Sequence, residues 1–556
     1  MADHEVPSRT RRRSTLGTTL ALAVLASFGL YGAARILVPP ADAATPSPTH
    51  RQDPAGTTRD APVPPGRWTV RTLAPGAEVR TGVITNAGAH HSWTVAVSAR
   101  ATGRVTGAKT WAAVGSRDWA GTTARDLRTA GFRPRVETVL WPRYSDTPQG
   151  EMGRRVRVGS YGTEAAAARA AARVRAAGFH ADTTWTGYDV EEPADRQNVH
   201  VVVVDPRKFT GTVTGTYDGD VARPEKVSAV ARKTGSLVGV NGGFFVDHSE
   251  GGRVGTPAAV GAEHGRLEAM AVGSRAALVL GDGGRRVRVT DLTTVVTVRA
   301  GAAGRQAQGI NRVPGTARNC GRPGGVPSAL PWQGVICRLP DDMVVFTPSY
   351  KAPLPTGPGI QVVLDASGRV VSRGPRGGSV PARGQVLQGL GTAADWLRAH
   401  APAGAPLTVD RTIRDAQGRR VVLGPDDSIV SAAPTLVSGG RIAIDAATEG
   451  CLDPADLSLG YVWSAVRQPR TMAGVDARGR LILATVDGRR AGGSEGFTFY
   501  ESAVFMRSLG AVDALNLDGG GSTAIAVRGA LANRPSDAVG ERRVGGTIQV
   551  LPAAAR

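Results

Sequence analysis

The spacing of apolar and polar residues divides the chain into segments of different period. A nearly unbroken apolar run from Leu16 to Ala34 comes first. A Pro-, Thr- and Asp-rich stretch from Ala44 to about Gly66 follows; it has no period and predicts a flexible tether. Next, one pattern occurs twice. Ala113-Val114-Gly115-Ser116 leads into a helical pattern around Ala124 and Leu127 that closes on Gly131-Phe132. Val158-Gly159-Ser160-Tyr161 leads into an Ala- and Arg-rich helix from Glu164 to Ala177 that closes on Gly178-Phe179. Each copy reads as strand, helix, glycine stop, strand, and the pair predicts one small α/β domain at residues 90–190. After a polar joint from Asp189 to Gln197, His200-Val201-Val202-Val203-Val204-Asp205 opens a series of buried strands. Further on, Arg478-Gly479 reads as a hairpin turn, Thr498 to Leu509 as an amphipathic helix and Ala514 to Leu517 as a short buried strand. Gly-, Pro- and Arg-rich segments at 301–334 and 351–384 read as loops able to line or cover a site. The elements predict an α+β chain: an export signal or signal anchor at 1–43, a linker at 44–66, the small α/β repeat domain at 90–190, and a larger β-rich α+β domain of catalytic type at 197–553.

Composition agrees with short strands and many turns rather than a helical bundle, since the chain holds 73 Gly and 36 Pro and is only 5% aromatic. A formal charge of +20 suits an anionic partner. Nucleic acid, teichoic-acid-like polymers and phosphorylated glycans would be attracted alike, and Arg-rich composition can also reflect a GC-rich genome. Arg9, Arg11, Arg12 and Arg13 ahead of the apolar run, with Ala41-Asp42-Ala43 after it, make the N-terminus an export signal. The bulk of the chain is therefore expected to be secreted or associated with the cell envelope, with membrane contact only through an uncleaved anchor. In an oxidising compartment Cys320 and Cys337 are the expected pair, stapling the loop between them and leaving Cys451 over. No CxxC or Cys/His cluster points to structural zinc.

Candidate chemistry concentrates in two segments. In Val240-Asn241-Gly242-Gly243-Phe244-Phe245 a strand ends in residues that permit close approach of a ligand to the backbone, although alone this is an ordinary turn. The run from Arg470 to Thr523 places Asp487 and Arg489 just past a strand, Glu501 on a helix, and Asn516 and Asp518 ahead of Gly519-Gly520-Gly521-Ser522-Thr523. Carboxylates and Arg at strand ends, beside free backbone N–H groups, suit an anionic substrate. The triple-glycine loop lacks the spacing and the Lys of a P-loop. Ser522 does not fit a nucleophile elbow, and no His follows His400. Carboxylates are left as the acid/base groups. Each has a plainer reading beside the catalytic one: Asp487-Gly488-Arg489 as a hairpin turn, Glu501 as an ion-pair residue, Asp518 as a turn cap, and Glu541-Arg542 as partners of each other.

The repeat region, through its Val-Gly-Ser-Tyr, its Ala-rich helix and its Gly-Phe, resembles the SPOR family of sporulation-related repeats. That resemblance implies a domain that binds peptidoglycan glycan strands; a spacer is the alternative. Asn241-Gly-Gly-Phe-Phe, the strand from Arg470 to Gly474, Val486-Asp487-Gly488-Arg489, Glu501, Asn516 to Thr523 and Gly540-Glu541-Arg542 together resemble the phosphodiester glycosidase family, whose best-known member, the uncovering enzyme, removes N-acetylglucosamine from a sugar phosphodiester. The resemblance implies hydrolysis of a sugar-1-phosphodiester at the anomeric carbon. It assigns catalysis to Asp487, Glu501 and Asp518 and the phosphate to Arg470 and Arg489. Sugar and loop contacts fall to Asn241, Gly242, Gly243, Asn516, Gly519, Gly520, Gly521, Ser522 and Thr523. No cofactor is expected; a divalent cation held by Asp518 stays open, with no metal-loop spacing behind it. The expected partners are a phosphodiester-linked glycan as substrate and peptidoglycan on the repeat domain, with no nucleic acid. A non-catalytic septal glycan-binding protein is the rival function.

Overall fold

The computed structural model describes residues 66–86, 90–101, 111–189, 194–322, 326–328, 332–453 and 460–553. The expected export signal at 1–43 and, apart from Gly66, the linker at 44–66 lie outside the described residues. Among the described residues no helix is long and apolar enough to cross a membrane.

The valine run explains the layering of the large domain. Its strand, Arg196–Val204, sends Val202 and Val204 into one apolar core and Val199, Val201 and Val203 into another. Successive side chains on a strand face opposite ways, so an unbroken apolar run belongs to a strand covered on both sides. This strand is third in an eight-stranded sheet whose order is Arg67–Ala74, Ala77–Thr85, Arg196–Val204, Leu481–Val486, Arg470–Asp476, Ala511–Asn516, Thr435–Ser438, Arg441–Ile442. On one face the helix Phe499–Ser508 buries Phe499, Ala503, Phe505 and Met506. On the other, Val240, Ile525 and Ile548 of a five-stranded sheet pack against Ala473, Leu483 and Leu515. A seven-stranded sheet adds Leu278, Leu280 and Val430 to the same core, and its far side is covered by a further five-stranded sheet and the helix Gly391–His400. Among the described residues the chain is mostly β with few helices, a β-rich α+β arrangement.

The large domain starts earlier than residue 197. Arg67–Ala74 and Ala77–Thr85 form an antiparallel hairpin, and Ala77–Thr85 pairs with Arg196–Val204 from Ala77↔Val204 to Thr85↔Arg196. The outer strand is largely exposed, Val70 and Arg71 included, and so has no apolar run to announce it.

The small domain is inserted between these two paired strands. Its sheet runs Pro134–Leu140, Glu151–Tyr161, Trp93–Val97, Ala181–Trp185, with helices Arg117–Thr129 and Glu164–Ala176 packed on one face, a split βαβ topology. Ser116 and Thr163 cap the helices through bonds from Trp119 N and Ala166 N. In the first copy the segment expected as a strand at 113–116 is this helix entry, preceded by a two-residue strand, Trp111–Ala112; the sheet strand is Trp93–Val97.

Val156 and Val158 face the helices, so Arg155 and Arg157 lie on the opposite face of the sheet. Both are buried there, paired with Glu137 and Asp189, and Arg155 also reaches Tyr461 Oη. The insertion thereby holds the segment 460–468 of the large domain. Tyr461 and Ala465 pack with Val114 and Val139, Tyr144 Oη donates to Ser464 O (2.6 Å), and Arg467 Nη1 donates to Gly187 O (2.8 Å) and Asp189 O (2.7 Å).

Candidate active site

The loop from Leu517 to Ala524 carries the chain from the eight-stranded sheet to the five-stranded sheet, and local hydrogen bonds fix its path. Leu517 N bonds to Thr471 O (2.8 Å), Asp518 N to Gly242 O (3.2 Å) and Gly520 N to Pro469 O (2.8 Å). Asn241, fully buried, braces the crossing: its Nδ2 donates to Asp518 O (2.7 Å), while its Oδ1 accepts from Thr471 Oγ1 (2.7 Å) and Ala524 N (3.1 Å). Asn516 Nδ2 donates to Ala433 O (2.8 Å) and to Leu517 O (2.7 Å). One of the three glycines is required by its backbone: Gly520 has φ 61°. A Cβ on Gly521 would meet the side-chain ends of Arg542 and Asp537, which would have to move aside.

Asp518 lines a cavity of about 180 Å3. Its carboxylate accepts from Gly519 N (3.0 Å). Burial pushes its pKa up to about 6, against the opposing pull of Ser522 and Arg542. Two guanidiniums share the cavity wall: Arg542, held by Asp537 (2.8 Å), and Arg318, paired with Asp247 (2.8 Å), whose carboxylate also lines the space. Phe244, Phe245, Trp332 and Trp463 supply the apolar wall. Trp463 packs against Phe244 (5.5 Å between centroids) and edge-on to Phe499 (5.7 Å). Cys451, the free cysteine, also lines the cavity; burial raises its pKa well above the usual range, which keeps the thiol neutral and unreactive. Cations, carboxylates and aromatic faces in one small recess can hold an anionic sugar derivative.

Trp332, Gln333 and Gly334 come from the loop closed by the disulfide Cys320–Cys337, and Arg318 and Asn319 stand just before its first cysteine. Gly334 N bonds to Asn319 Oδ1 (2.9 Å) and Gln333 N to Gly450 O (2.9 Å), tying the loop to itself and to the large domain. Closing a loop of this length stabilises by about 3 kcal/mol through the unfolded chain. Replacing both cysteines by alanine is expected to lower the denaturation midpoint and to raise KM more than it lowers kcat, since wall residues and not Asp518 lose their placement. An unchanged KM would contradict that.

The other sequence candidates lie elsewhere. Arg470 does not reach the cavity. It is almost fully buried, with Nε on Phe497 O (2.8 Å), Nη2 on Trp463 O (2.7 Å) and the guanidinium 4.3 Å from the Phe499 ring centroid. Glu501 forms a capping box with Thr498 and pairs with Arg467 (2.7 Å), which makes it a helix-entry residue. Asp487, buried with its pKa pushed up to about 6, accepts from Asn533 Nδ2 (3.2 Å) and Arg534 N (3.2 Å). Asn533 in turn donates to Thr523 O (3.1 Å), so Asp487 supports the glycine loop from behind. Arg489 donates to Gln468 Oε1 (2.7 Å) and passes beside Gly520. Gly242 and Gly243 line a separate narrow crevice, and Thr523 is buried. Glu541 and Arg542 do not pair: Glu541 accepts from Ser228 N (2.8 Å), and Arg542 pairs with Asp537. Sequence reasoning missed Asp247, Arg318, Trp332 and Trp463; the position of Asp247, three residues after Phe244, was the one local signal. Among the described residues no group of three or more His, Cys, Asp or Glu side chains is placed to hold a metal ion.

Residues 359–551 match the family model of phosphodiester glycosidases. A solved structure of a candidate exported protein from Burkholderia pseudomallei superposes with a TM-score of 0.76 at 30% identity, covering 89% of this chain and 100% of that one. N-acetylglucosamine-1-phosphodiester alpha-N-acetylglucosaminidase of Mus musculus is 33% identical over 116 residues, 21% of this chain and 22% of its own length. The Homo sapiens protein of that name is 34% identical over 115 residues, 20% and 22% respectively. The chain thus matches about a fifth of the length of these curated relatives.

Proposed function

We propose, for a chain that carries a phosphodiester glycosidase domain at residues 359–551 and belongs to one family with the Burkholderia pseudomallei protein, the hydrolysis of sugar-1-phosphodiesters at the anomeric carbon. The observation that carries this reading is Asp518 in a recess with two arginines and an aromatic wall. Arg318 and Arg542 bind the phosphate, and Trp463 with Phe244 packs on the sugar. The Asp518 carboxylate takes a proton from the attacking water. The water oxygen bonds to the anomeric carbon, the bond from that carbon to the phosphate oxygen breaks, and its electron pair leaves on the phosphate. The products are free sugar and a phosphomonoester. Phosphate departs as a stabilised anion, so the two guanidiniums replace a general acid.

A carboxylate with a pKa of about 6 is a better base than an ordinary one and is still mostly ionised at pH 7. Because the base must be ionised, kcat/KM is expected to fall about tenfold per pH unit below about pH 6 and to level off above it. A profile that rises as pH drops through 6 would assign Asp518 as an acid instead. The stability linkage has the opposite slope. Asp487 and Asp518, both raised by burial, favour the fold when protonated, and that contribution is lost as pH rises from about 4 through 6.

The function is tested by incubating the full chain with methyl phosphodiesters of several sugars, N-acetylglucosamine among them, and measuring released sugar. Turnover of at least one supports the reading, and no turnover of any overturns it in favour of a glycan-binding protein. Export, and a role for the inserted domain in holding the enzyme near peptidoglycan, belong to the same proposal. The N-terminal pattern and the repeat motifs support them. Any glycan surface on the insertion would use its helix face or sheet edges, since Arg155 and Arg157 are buried against the large domain.

A further inference from the structure

The segment Val421 to Leu423 is a shared rim between two grooves of about 490 Å3 and about 580 Å3. Arg207, Arg285, Arg286 and Arg288 line the first; Arg383 and Arg420 line the second. All six are exposed, and among the described residues their guanidiniums have no ion pair or hydrogen bond. The second groove also holds Arg411, which donates to Gln385 Oε1 (2.6 Å), and Arg266, which donates to Ser349 Oγ (3.1 Å).

Among the described residues the single carboxylate lining each groove is already engaged by backbone N–H groups. Asp427 accepts from Asp282 N (2.7 Å) and Gly424 N (2.9 Å), and Asp365 from Ser367 N (2.8 Å) and Arg369 N (3.0 Å). Six unneutralised guanidiniums across adjoining grooves create a field that attracts a partner with repeated negative charge. Among the described residues neither groove is lined by Phe, Tyr or Trp, so neither offers the stacking platform that single-stranded nucleic acid uses.

We propose that the two grooves bind a linear polymer of phosphodiester-linked sugar or polyol units, as a docking surface separate from the cavity that holds Asp518. The choice of this polymer over other polyanions rests on the glycosidase reading; the charge and the missing aromatics do not. The probe is poly(glycerol phosphate), with binding to the full chain followed between 50 and 200 mM salt. The wild-type chain is expected to lose affinity by about a hundredfold or more across that range. Arg286→Glu with Arg420→Glu should weaken binding by about tenfold and flatten the salt dependence. Arg133→Glu with Arg169→Glu, the same charge change on the inserted domain, should leave binding unchanged. Release of sugar from a small methyl phosphodiester should be the same in all three proteins. Equal binding by the groove variant and wild type would overturn the proposal, as would equal loss in the control variant or tighter binding of oligothymidylate than of the polymer. A chain that binds the polymer in this Arg-dependent way yet releases no sugar would refute the glycosidase reading and leave the docking surface standing.

Discussion

Asp518→Asn is expected to abolish sugar release, with kcat/KM down about a thousandfold, while the protein stays folded. The amide keeps the shape and can still accept from Gly519 N, so the loop between the two sheets should hold its path. Burial disfavours the ionised carboxylate in the folded chain, so removing the charge should leave the melting midpoint at pH 7 unchanged or slightly higher. Loss of activity together with loss of stability would make Asp518 a structural residue. Activity within tenfold of wild type would remove it from the reaction. Asp487→Ala should behave differently, because the carboxylate pins Asn533 and Arg534 behind the loop without lining the cavity, and truncation leaves both donors without their acceptor. A partial loss of activity accompanied by a lower midpoint is expected there.

Arg470→Ala is expected to destabilise the fold by about 3 kcal/mol, as buried carbonyls lose their donor. Its guanidinium serves Phe497 O and Trp463 O and covers the Phe499 ring, and burial pushes its pKa down to about 10. Arg470→Lys should recover only part of the loss, because one ammonium cannot reproduce the planar fork. Since Trp463 lines the cavity, KM should rise in both variants through a displaced wall. Urea denaturation checks the first effect and steady-state kinetics the second. A variant with full stability and a selective loss of phosphate affinity would return Arg470 to the phosphate.

These two residues also show what the sequence could and could not reveal. Local chemistry was legible. The turn at Arg478-Gly479, the helix entered through Thr498, the strand that delivers Asn516, and the pairing partner of Cys320 all follow from short-range pattern, and the structure has each of them. Direction was not legible. An Arg at the start of a buried strand looks the same whether it faces a phosphate or three residues' worth of backbone, and Arg470 faces backbone. Glu501 three residues after Thr498 is equally a capping box and a catalytic candidate; in the structure it forms the capping box and pairs with Arg467. The cavity itself was hidden because its walls come from distant parts of the chain. Arg318 and Trp332 sit in a Gly/Pro-rich stretch without period, and long-range ties, among them the disulfide, the pairing of Thr316–Arg318 with Ile336–Arg338 and the bond from Gln333 N to Gly450 O, carry them to Asp518. The insertion of the small domain escaped notice for a related reason. The strand Arg67–Ala74 is mostly exposed, so nothing in its pattern shows that the hairpin before the insertion belongs to the sheet resumed after it.

The central claim is cleavage between the anomeric carbon and the phosphate oxygen, and it is tested most directly by where solvent oxygen goes. Hydrolysis of a methyl N-acetylglucosamine-1-phosphodiester, or of whichever sugar is turned over, should be run in oxygen-18 water and the products weighed by mass spectrometry. The arrangement around Asp518 predicts the label in the sugar and none in the methyl phosphate. Label in the phosphate would mean attack at phosphorus, and the protein would then be a phosphodiesterase rather than a glycosidase.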